Sequence, residues 1–496
     1  MNAARPNVAD DVLAIATRLR GTIEHPELRD EVQSVVERLQ GPLRVAIAGR
    51  VKAGKSTLLN ALVGERLAPT DAGECTKLVT VYQHGLGYEV TAHLRGGTSR
   101  PLPFRRANGS LDVDLAGLTE PDVDHLTVGW PSSSLHAITL IDTPGLASVN
   151  DENSRRTRTF LEPDADRAGA ADAVVYLMRH AHRSDISFLD AFMDRSVAAA
   201  SPVNAVAVLS RADEIGAGRL DAMSSAERIA QRYATDPQLG ALCATVVPLS
   251  GLIAETGLTL REDEAAALRT LASTDAEMLD RMLLSADQFC DVSASTLTAE
   301  WRRDLLDRLG VFGLRLSLDM VRSGRATTAA ELGPALVEHS GLPALRRELD
   351  TRFAPRARLL QARSAIQALR VIARRLEITD PASAAVLDRD LERTEAGTLE
   401  FAMLRAEHLL RVTDLGFGDD QARQLGLLVT APDPRTALGL EAQTPWPTVR
   451  DVALTSISRW RTRAADPLAQ PAAVEVCEAA TRRAESIFAT AAGAGS

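Results

Sequence analysis

Apolar residues follow two different patterns along the chain, and the change between them falls near residue 258. In the first part, short continuous apolar runs alternate with stretches whose apolar residues recur every three or four positions. The runs predict β-strands at 44–48, 79–83, 89–94, 137–141, 173–178, 203–209 and 245–249. Strands that are separated by helices predict a mostly parallel sheet that is covered by helices on both faces.

The second pattern is helical throughout. It is already present over 11–40, where it predicts one or two helices that stop at Gly41 and Pro42. After residue 258 it predicts several helices over 263–337 and a long helical segment that is broken once at Pro355. An apolar seam over 359–376 has the spacing of a helix that packs lengthwise against another. Further helices are predicted at 384–412, 417–429, 448–464 and 470–490, and the end after Phe488 is expected to fray.

Composition and charge narrow the class of protein. A chain of 496 residues is too long for one ordinary core, so two or more packed units are expected. Its 45% hydrophobic and 25% charged residues are typical of a soluble globular protein, and its net charge of −10 argues against nucleic acid as a partner. The four cysteines have no metal-ligand spacing, and the sequence has neither an export signal nor an apolar run of about 20 residues. We therefore expect a reduced, cytoplasmic chain.

Candidate chemistry begins at the end of the first predicted strand, where residues 49–57 read Gly-Arg-Val-Lys-Ala-Gly-Lys-Ser-Thr. The pattern Gly-x-x-x-x-Gly-Lys-Ser between a strand and a helix is typical of a loop that binds phosphate through backbone N–H groups. Lys55 would reach the β- and γ-phosphates, and the Ser56 hydroxyl would bind Mg²⁺. The residues expected to bind nucleotide are Gly49, Arg50, Lys52, Ala53, Gly54, Lys55, Ser56 and Thr57. The alternative is a glycine-rich turn that matches by chance.

A second element of a triphosphate site, Asp-Thr-Pro-Gly from Asp142 to Gly145, follows the strand predicted at 137–141. Asp142 would hold Mg²⁺ through water, and the Gly145 N–H would contact the γ-phosphate. A threonine between the two motifs should close over Mg²⁺ and help position the attacking water. We choose Thr76 over Thr70, because Thr76 lies next to the following strand. Leu146 stands where a water-positioning glutamine would follow, so we expect slow basal turnover that increases on assembly.

The third element concerns the base. Ser210, Arg211 and Asp213 follow the strand at 203–209 and form a variant of the Asn/Thr-Lys-x-Asp guanine signature. Asp213 would accept hydrogen bonds from the guanine N1–H and exocyclic amine, which adenine does not offer. Arg211 could lay its guanidinium and stem on the face of the base. Ser250, after the next strand, lies where a backbone loop would contact the guanine carbonyl, so GTP is favoured over ATP.

Lys52 has two interpretations. A cation inside the phosphate loop could bend over the phosphates and neutralise the charge that develops between them. It could equally be a solvated loop lysine. We expect the catalytic residues to be Lys52, Lys55, Thr76 and Gly145, with Lys52 included under the first interpretation. The expected metal ligands are Ser56, Thr76 and Asp142.

These motifs, in this order and followed by a helical remainder, resemble the bacterial dynamin-like GTPases, in particular the actinobacterial isoniazid-induced dynamin-like proteins. Residues 305–313 and 340–342 add to the resemblance. It implies an α/β P-loop GTPase domain over 41–340, followed by an α-helical neck and trunk bundle over 341–496, with the helices of 1–40 packed on the neck. It also implies GTP hydrolysis with Mg²⁺, a charge-compensating cation at Lys52, and self-association of GTPase domains in a homodimer or with a paralogue. The process would be remodelling or maintenance of the membrane from its cytoplasmic face.

Two segments are candidates for contact with an anionic membrane. One is the apolar stretch 425–429 with Trp446 nearby, although an interhelical turn with inward leucines is the interpretation we favour. The other is the arginine-rich stretch 346–375, for which we favour solvation or pairing with acidic neighbours in the bundle. If the first segment is buried, the alternative function gains support: a regulatory GTP-binding scaffold whose helical part engages a protein.

Overall fold

A nine-stranded sheet lies at the centre of the computed structural model, which describes residues 7–68, 78–95, 97–107, 110–145, 169–180, 183–192, 204–236, 238–291 and 297–494. The strands are β1 (Leu43–Gly49), β2 (Val79–His84), β3 (Glu89–Leu94), β4 (Ser99–Pro101), β5 (Phe104–Ala107), β6 (Ser110–Val113), β7 (Val123–Trp130), β8 (Ile138–Asp142), β9 (Ala173–Met178), β10 (Ala205–Ser210) and β11 (Val246–Leu249). Their order in the sheet is β11-β10-β9-β1-β8-β2-β7-β3-β4, and β5 pairs with β6 in a separate hairpin.

The predicted, mostly parallel sheet is confirmed. β1 lies between β8 and β9 and is parallel to both, and β10 and β11 continue the parallel part. β2 is antiparallel to β8 and parallel to β7, while β3 is antiparallel to both of its neighbours. The carboxyl ends of β1, β8, β10 and β11 therefore meet at one edge of the sheet, which brings the predicted motifs together.

The prediction missed β4, β5, β6 and β7. The most important of these is β7, because it lies inside the sheet between β2 and β3. Its apolar run is interrupted by Asp124, His125 and Thr127, and the Thr127 hydroxyl pairs with Nε2 of His93 on β3 at 3.0 Å. Because these polar residues interrupt the run, a search for continuous apolar stretches does not detect the strand.

Helices cover both faces of the sheet. The first thirteen described α-helices are α1 (Val8–Thr22), α2 (Pro26–Gln40), α3 (Lys55–Val63), α4 (Arg183–Phe192), α5 (Ala222–Ala234), α6 (Leu239–Leu242), α7 (Gly251–Thr259), α8 (Glu262–Ala272), α9 (Ala276–Met282), α10 (Ala286–Asp291), α11 (Ala299–Arg322), α12 (Ala329–His339) and α13 (Leu342–Glu348). The others are α14 (Ala357–Thr379), α15 (Pro381–Gly397), α16 (Leu399–Val412), α17 (Asp419–Thr430), α18 (Pro434–Ala437), α19 (Trp446–Ala464) and α20 (Pro471–Ala494).

Four of these helices, α1, α2, α14 and α15, pack together beside the sheet. The predicted seam on α14 is confirmed, because Ile366 and Leu369 are fully buried there. Its residues belong to the same hydrophobic core as Val45 and Ile47 of β1. The amino-terminal helices, α14 and the sheet therefore share one core.

The last helices form a second unit with its own core. α16, α17, α19 and α20 pack around the buried side chains of Trp460 and Val476. The segment predicted as one helix over 384–412 is two helices, α15 and α16, which meet at Thr398. The expected fraying after Phe488 is wrong, because α20 continues to Ala494 and packs Ala491 into this core.

Both candidate membrane segments are engaged inside the protein. Leu425, Leu428 and Val429 are buried in the second core, and the Arg435 guanidinium lies 3.9 Å from the centre of the Trp446 ring. The interpretation of 425–429 as an exposed apolar tip is therefore wrong, and the favoured interpretation, inward packing of its leucines, is confirmed. Among the described helices, none combines the length and the apolar character that a bilayer crossing requires.

The arginine-rich stretch is likewise paired with acidic groups rather than presented as a free basic face. Its ion pairs are Arg352–Glu348, Arg356–Glu407, Arg358–Asp10, Arg370–Glu395 and Arg375–Glu31. Four of these pairs link α14 or the turn before it to other helices of the two helical units. Pairing within the bundle, the interpretation favoured from the sequence, is confirmed.

Candidate nucleotide site

The loop between β1 and α3 is closed by its own lysine. Lys55, the first residue of α3, is buried, and its Nζ donates to the carbonyl oxygens of Gly49 at 3.2 Å and Arg50 at 3.3 Å. Ala53 N also donates to Arg50 O, and Gly54 caps the helix in the left-handed region. Burial lowers the pKa of Lys55, and the Asp142 carboxylate opposes that shift. The ammonium group is thus held inside the loop, at the amino end of a helix.

Asp142 meets the loop from the neighbouring strand. It ends β8 opposite Ile47 of β1, and its Oδ2 accepts a hydrogen bond from the Ser56 hydroxyl at 3.1 Å. Its Oδ1 is buried and has no hydrogen-bond partner among the described residues. Burial raises the pKa of Asp142 to about 6, although Lys55 and Ser56 act in the opposite direction. The Ser56 hydroxyl and the Asp142 carboxylate, with its unused Oδ1, are a donor set that suits Mg²⁺.

Gly145 packs directly against the phosphate loop. A Cβ at this position would lie 2.6 Å from Val51 Cγ2 and 2.9 Å from Val51 N, so the close approach requires glycine. The preceding Thr143 donates its hydroxyl to Ile47 O at 3.0 Å, which fixes the turn after β8 on β1. Thr76, the threonine chosen from the sequence, lies outside the described residues.

The base motif lies at the end of β10, on the same edge. Asp213 is buried, and burial raises its pKa while a hydrogen bond from the Ser250 side chain opposes the rise. Arg211 donates through Nε to Lys52 O at 3.2 Å and through Nη1 to Glu214 Oε1 at 2.6 Å. The Ser210 hydroxyl points back into the sheet and donates to Met178 O at 3.2 Å.

Ser250 connects this motif to the rest of the chain. It caps α7, and its N–H donates to the carbonyl oxygen of Ser340 at 2.8 Å. The next residue, Gly251, lies close to Thr57 of α3, so the phosphate and base loops are neighbours. The structure thus brings together all the described residues that the sequence predicted for the nucleotide site, although the Ser210 side chain faces away from the others.

The sequence reasoning missed Asn60, which anchors the chain as it leaves α3. This buried side chain accepts from the N–H groups of Leu67 and Ala68 through Oδ1 and donates to Ala68 O through Nδ2 at 3.0 Å. Three hydrogen bonds therefore hold the segment that enters the loop between the two phosphate motifs. A polar residue within the apolar face of α3 is the signal that could have indicated it.

A strand, a phosphate loop and a helix, with an aspartate on the adjacent parallel strand, define a P-loop nucleotide-binding domain. The sequence model of the Dynamin family matches residues 45–197. The chain is 39% identical over 462 residues to the isoniazid-induced protein IniC of Mycobacterium tuberculosis, and the match covers 92% of each chain. It is 34% identical over 151 residues to a bacterial dynamin-like protein of Nostoc punctiforme, which is 28% of this chain and 21% of that one.

These matches place the chain in the bacterial dynamin-like GTPase family, and it is a GTP-hydrolysing enzyme. A solved structure of an oligomerised bacterial dynamin pair aligns over 86% of this chain and 79% of its own, at 15% identity. The TM-score of 0.31 is too low for that superposition to support an inference.

Proposed function

We propose that this enzyme couples GTP hydrolysis to self-assembly, and that the assembly remodels or maintains the membrane from its cytoplasmic face. The observation that carries the catalytic part is the convergence of Lys55, Ser56 and Asp142 at the carboxyl ends of two parallel strands. In this proposal 41–340 is the GTPase domain, 341–496 is the neck and trunk, and the helices of 1–40 belong to the neck. Their packing against α14 supports that division.

Each site residue then has a distinct task. Backbone N–H groups of the phosphate loop hold the phosphates, and Lys55 compensates their charge from inside the loop. Gly145 presents its N–H to the γ-phosphate side, and Thr76 positions water. Lys52 lies at the exposed turn of the same loop, where a cation can compensate charge that develops during hydrolysis.

Mg²⁺ fits this site, with Ser56, Thr76 and Asp142 as the residues that would hold it. When bound, the ion would neutralise phosphate charge. The unused Oδ1 of Asp142 supports this assignment, because a buried carboxylate oxygen without a partner is costly. Asp213 recognises the guanine edge as an acceptor, and Ser250 keeps that carboxylate in place.

A second function has an observation in its favour. Leu425, Leu428 and Val429 are buried, and arginines of α14 are paired with acidic groups, so these observations favour neither candidate segment as a membrane contact. A regulatory GTP-binding scaffold, in which the helical units engage a protein partner, would need no such segment.

Turnover measured against protein concentration, with anionic liposomes, neutral liposomes or none, tests the proposal. We expect the specific rate to rise steeply with concentration and to rise further with anionic liposomes only. The Lys55→Ala variant supplies the background rate. A rate that is independent of concentration, together with no co-sedimentation with anionic liposomes at low salt, would contradict membrane remodelling and favour the scaffold.

A further inference from the structure

Helix α11 has a break in its middle, at Gly310. The residue has φ of 61° and ψ of 179°, which is incompatible with a continuous α-helix. The carbonyl oxygen of Arg308, in the turn before the break, accepts a hydrogen bond from the hydroxyl of Thr256 on α7. Because Thr256 of α7 donates this hydrogen bond, α7 contacts α11 at the break, and the break is part of the packing.

The break lies against the base motif. A Cβ on Gly310 would be 3.7 Å from Oδ2 of Asp213 and 3.6 Å from Cδ2 of Leu252. A side chain at position 310 would therefore be in van der Waals contact with one oxygen of the Asp213 carboxylate. The glycine leaves that space free, nearly one hundred residues further along the chain than Asp213 itself.

The same helix also holds the base loop, defined here as residues 211–218. Arg315 donates through Nη1 to the carbonyl oxygens of Ala217 at 3.1 Å and Gly218 at 2.8 Å. Its Nη2 donates to Leu283 O at 2.7 Å, which ties the guanidinium to the turn after α9. One planar cation thus binds three backbone carbonyls, and two of them belong to the base loop.

We propose that α11 sets the base selectivity of the nucleotide site, with Gly310 keeping the Asp213 carboxylate accessible and Arg315 acting as a positioning residue for the base loop. This inference rests on the proposed role of Asp213 in guanine recognition. It adds a determinant from outside the nucleotide motifs, on a helix that follows all of them in the chain.

Arg315→Met tests the positioning role, with Arg322→Met as the matched control. Arg322 lies on the same helix and also donates to two carbonyl oxygens, those of Ala272 at 3.0 Å and Thr274 at 2.6 Å, away from the base loop. The readout is the ratio of the dissociation constants of ITP and GTP, because inosine lacks the exocyclic amine that Asp213 would accept from. We expect Arg315→Met to lower this ratio about tenfold and Arg322→Met to leave it unchanged. An equal ratio in both variants would overturn the positioning role.

Gly310→Ala tests the open face, with Gly324→Ala as its control. Gly324 follows the same helix at φ of 68° and has nothing within 4 Å of an added Cβ, so it shows the effect of a Cβ at positive φ away from Asp213. We expect Gly310→Ala to weaken GTP binding about tenfold more than Gly324→Ala does. Equal affinities in the two variants would overturn the role of Gly310.

Asp213→Asn separates failure of the inference from failure of the proposed function. An asparagine should exchange the preference for guanine with one for xanthine, which carries a carbonyl in place of the amine. If that exchange occurs while Arg315→Met and Gly310→Ala match their controls, the inference alone fails. If Asp213→Asn leaves the base preference unchanged, the role of Asp213 fails and the inference fails with it.

Discussion

Nε of Arg211 donates a hydrogen bond to the carbonyl oxygen of Lys52 over 3.2 Å, so the base motif is joined directly to the phosphate loop. Both residues have positive φ, 54° for Arg211 and 61° for Lys52, an uncommon conformation for residues with side chains. The Lys52 backbone is fixed by this bond while its side chain remains exposed. This geometry fits both interpretations of Lys52, the charge-compensating cation and the solvated loop lysine.

Replacing Lys52 by alanine should slow hydrolysis about tenfold and leave GTP affinity within a few-fold, because the lost charge acts on the transition state. Lys52→Gly should do the same without a backbone penalty, and Lys52→Arg should retain most of the rate. Steady-state turnover and equilibrium binding of GTP measure the two effects. Unchanged turnover of Lys52→Ala in both dilute and assembled protein would leave the solvated-lysine interpretation.

Mg²⁺ should strengthen nucleotide binding less at low pH than at neutral pH, because Asp142 becomes protonated. Its folded pKa of about 6 lies above the ordinary value, because burial disfavours the charged form. Because the folded protein holds this proton more tightly than the unfolded chain does, the free energy of unfolding falls as the pH rises from about 4 to about 6. Below about pH 6 the proton also competes with Mg²⁺ for the carboxylate. Lowering the pH from 7.5 to 5 should weaken the Mg²⁺-dependent part of binding about tenfold.

Titration of Mg²⁺ against protein and GDP at each pH measures this effect. The phosphates of the nucleotide also titrate, so the Asp142→Asn variant supplies the dependence that remains without the carboxyl group. Parallel pH profiles for the two proteins would show that Asp142 does not titrate in this range.

Gly341→Ala should be strongly destabilising. The residue has φ of 86°, and an added Cβ would lie 2.1 Å from the carbonyl oxygen of Pro248 on β11. Gly64 has nearly the same φ, 85°, but nothing within 4 Å, so Gly64→Ala reports the backbone strain alone, about 1 kcal/mol. We expect Gly341→Ala to lower the free energy of unfolding by about 2 kcal/mol more, as overpacking against backbone does. Calorimetric melting of the two variants compares them, and equal shifts would contradict the close approach.

Leu425→Ala tests the inward packing of the segment that the sequence offered as a membrane tip. Leu425 is fully buried in the core of the carboxyl-terminal helices, so its truncation should cost about 2–5 kcal/mol. Leu454 on α19 is 56% exposed, and Leu454→Ala should change stability by no more than about 0.5 kcal/mol. If thermal unfolding shifts equally little in both variants, Leu425 does not pack in this core.

Much of the fold was predictable because its signals are local. The strands at the nucleotide edge are continuous apolar runs and were located to within about two residues of their observed ends, while β7 was missed because polar cross-strand contacts interrupt its pattern. The predicted seam on α14 is buried as expected. The prediction that the carboxyl terminus frays was wrong, because an Ala- and Gly-rich composition does not show that Ala491 packs into a core.

Within the site, the sequence by itself determined the phosphate loop, Asp142 and the base motif, because each depends on a few adjacent residues after a strand. Only the tertiary structure decided that the Ser210 hydroxyl turns into the sheet, that Arg211 bonds to Lys52, and that Gly310 and Arg315 reach the base loop. These contacts join residues that are far apart in the chain. Their formation depends on how strands and helices pack, and no local pattern of residues records that packing.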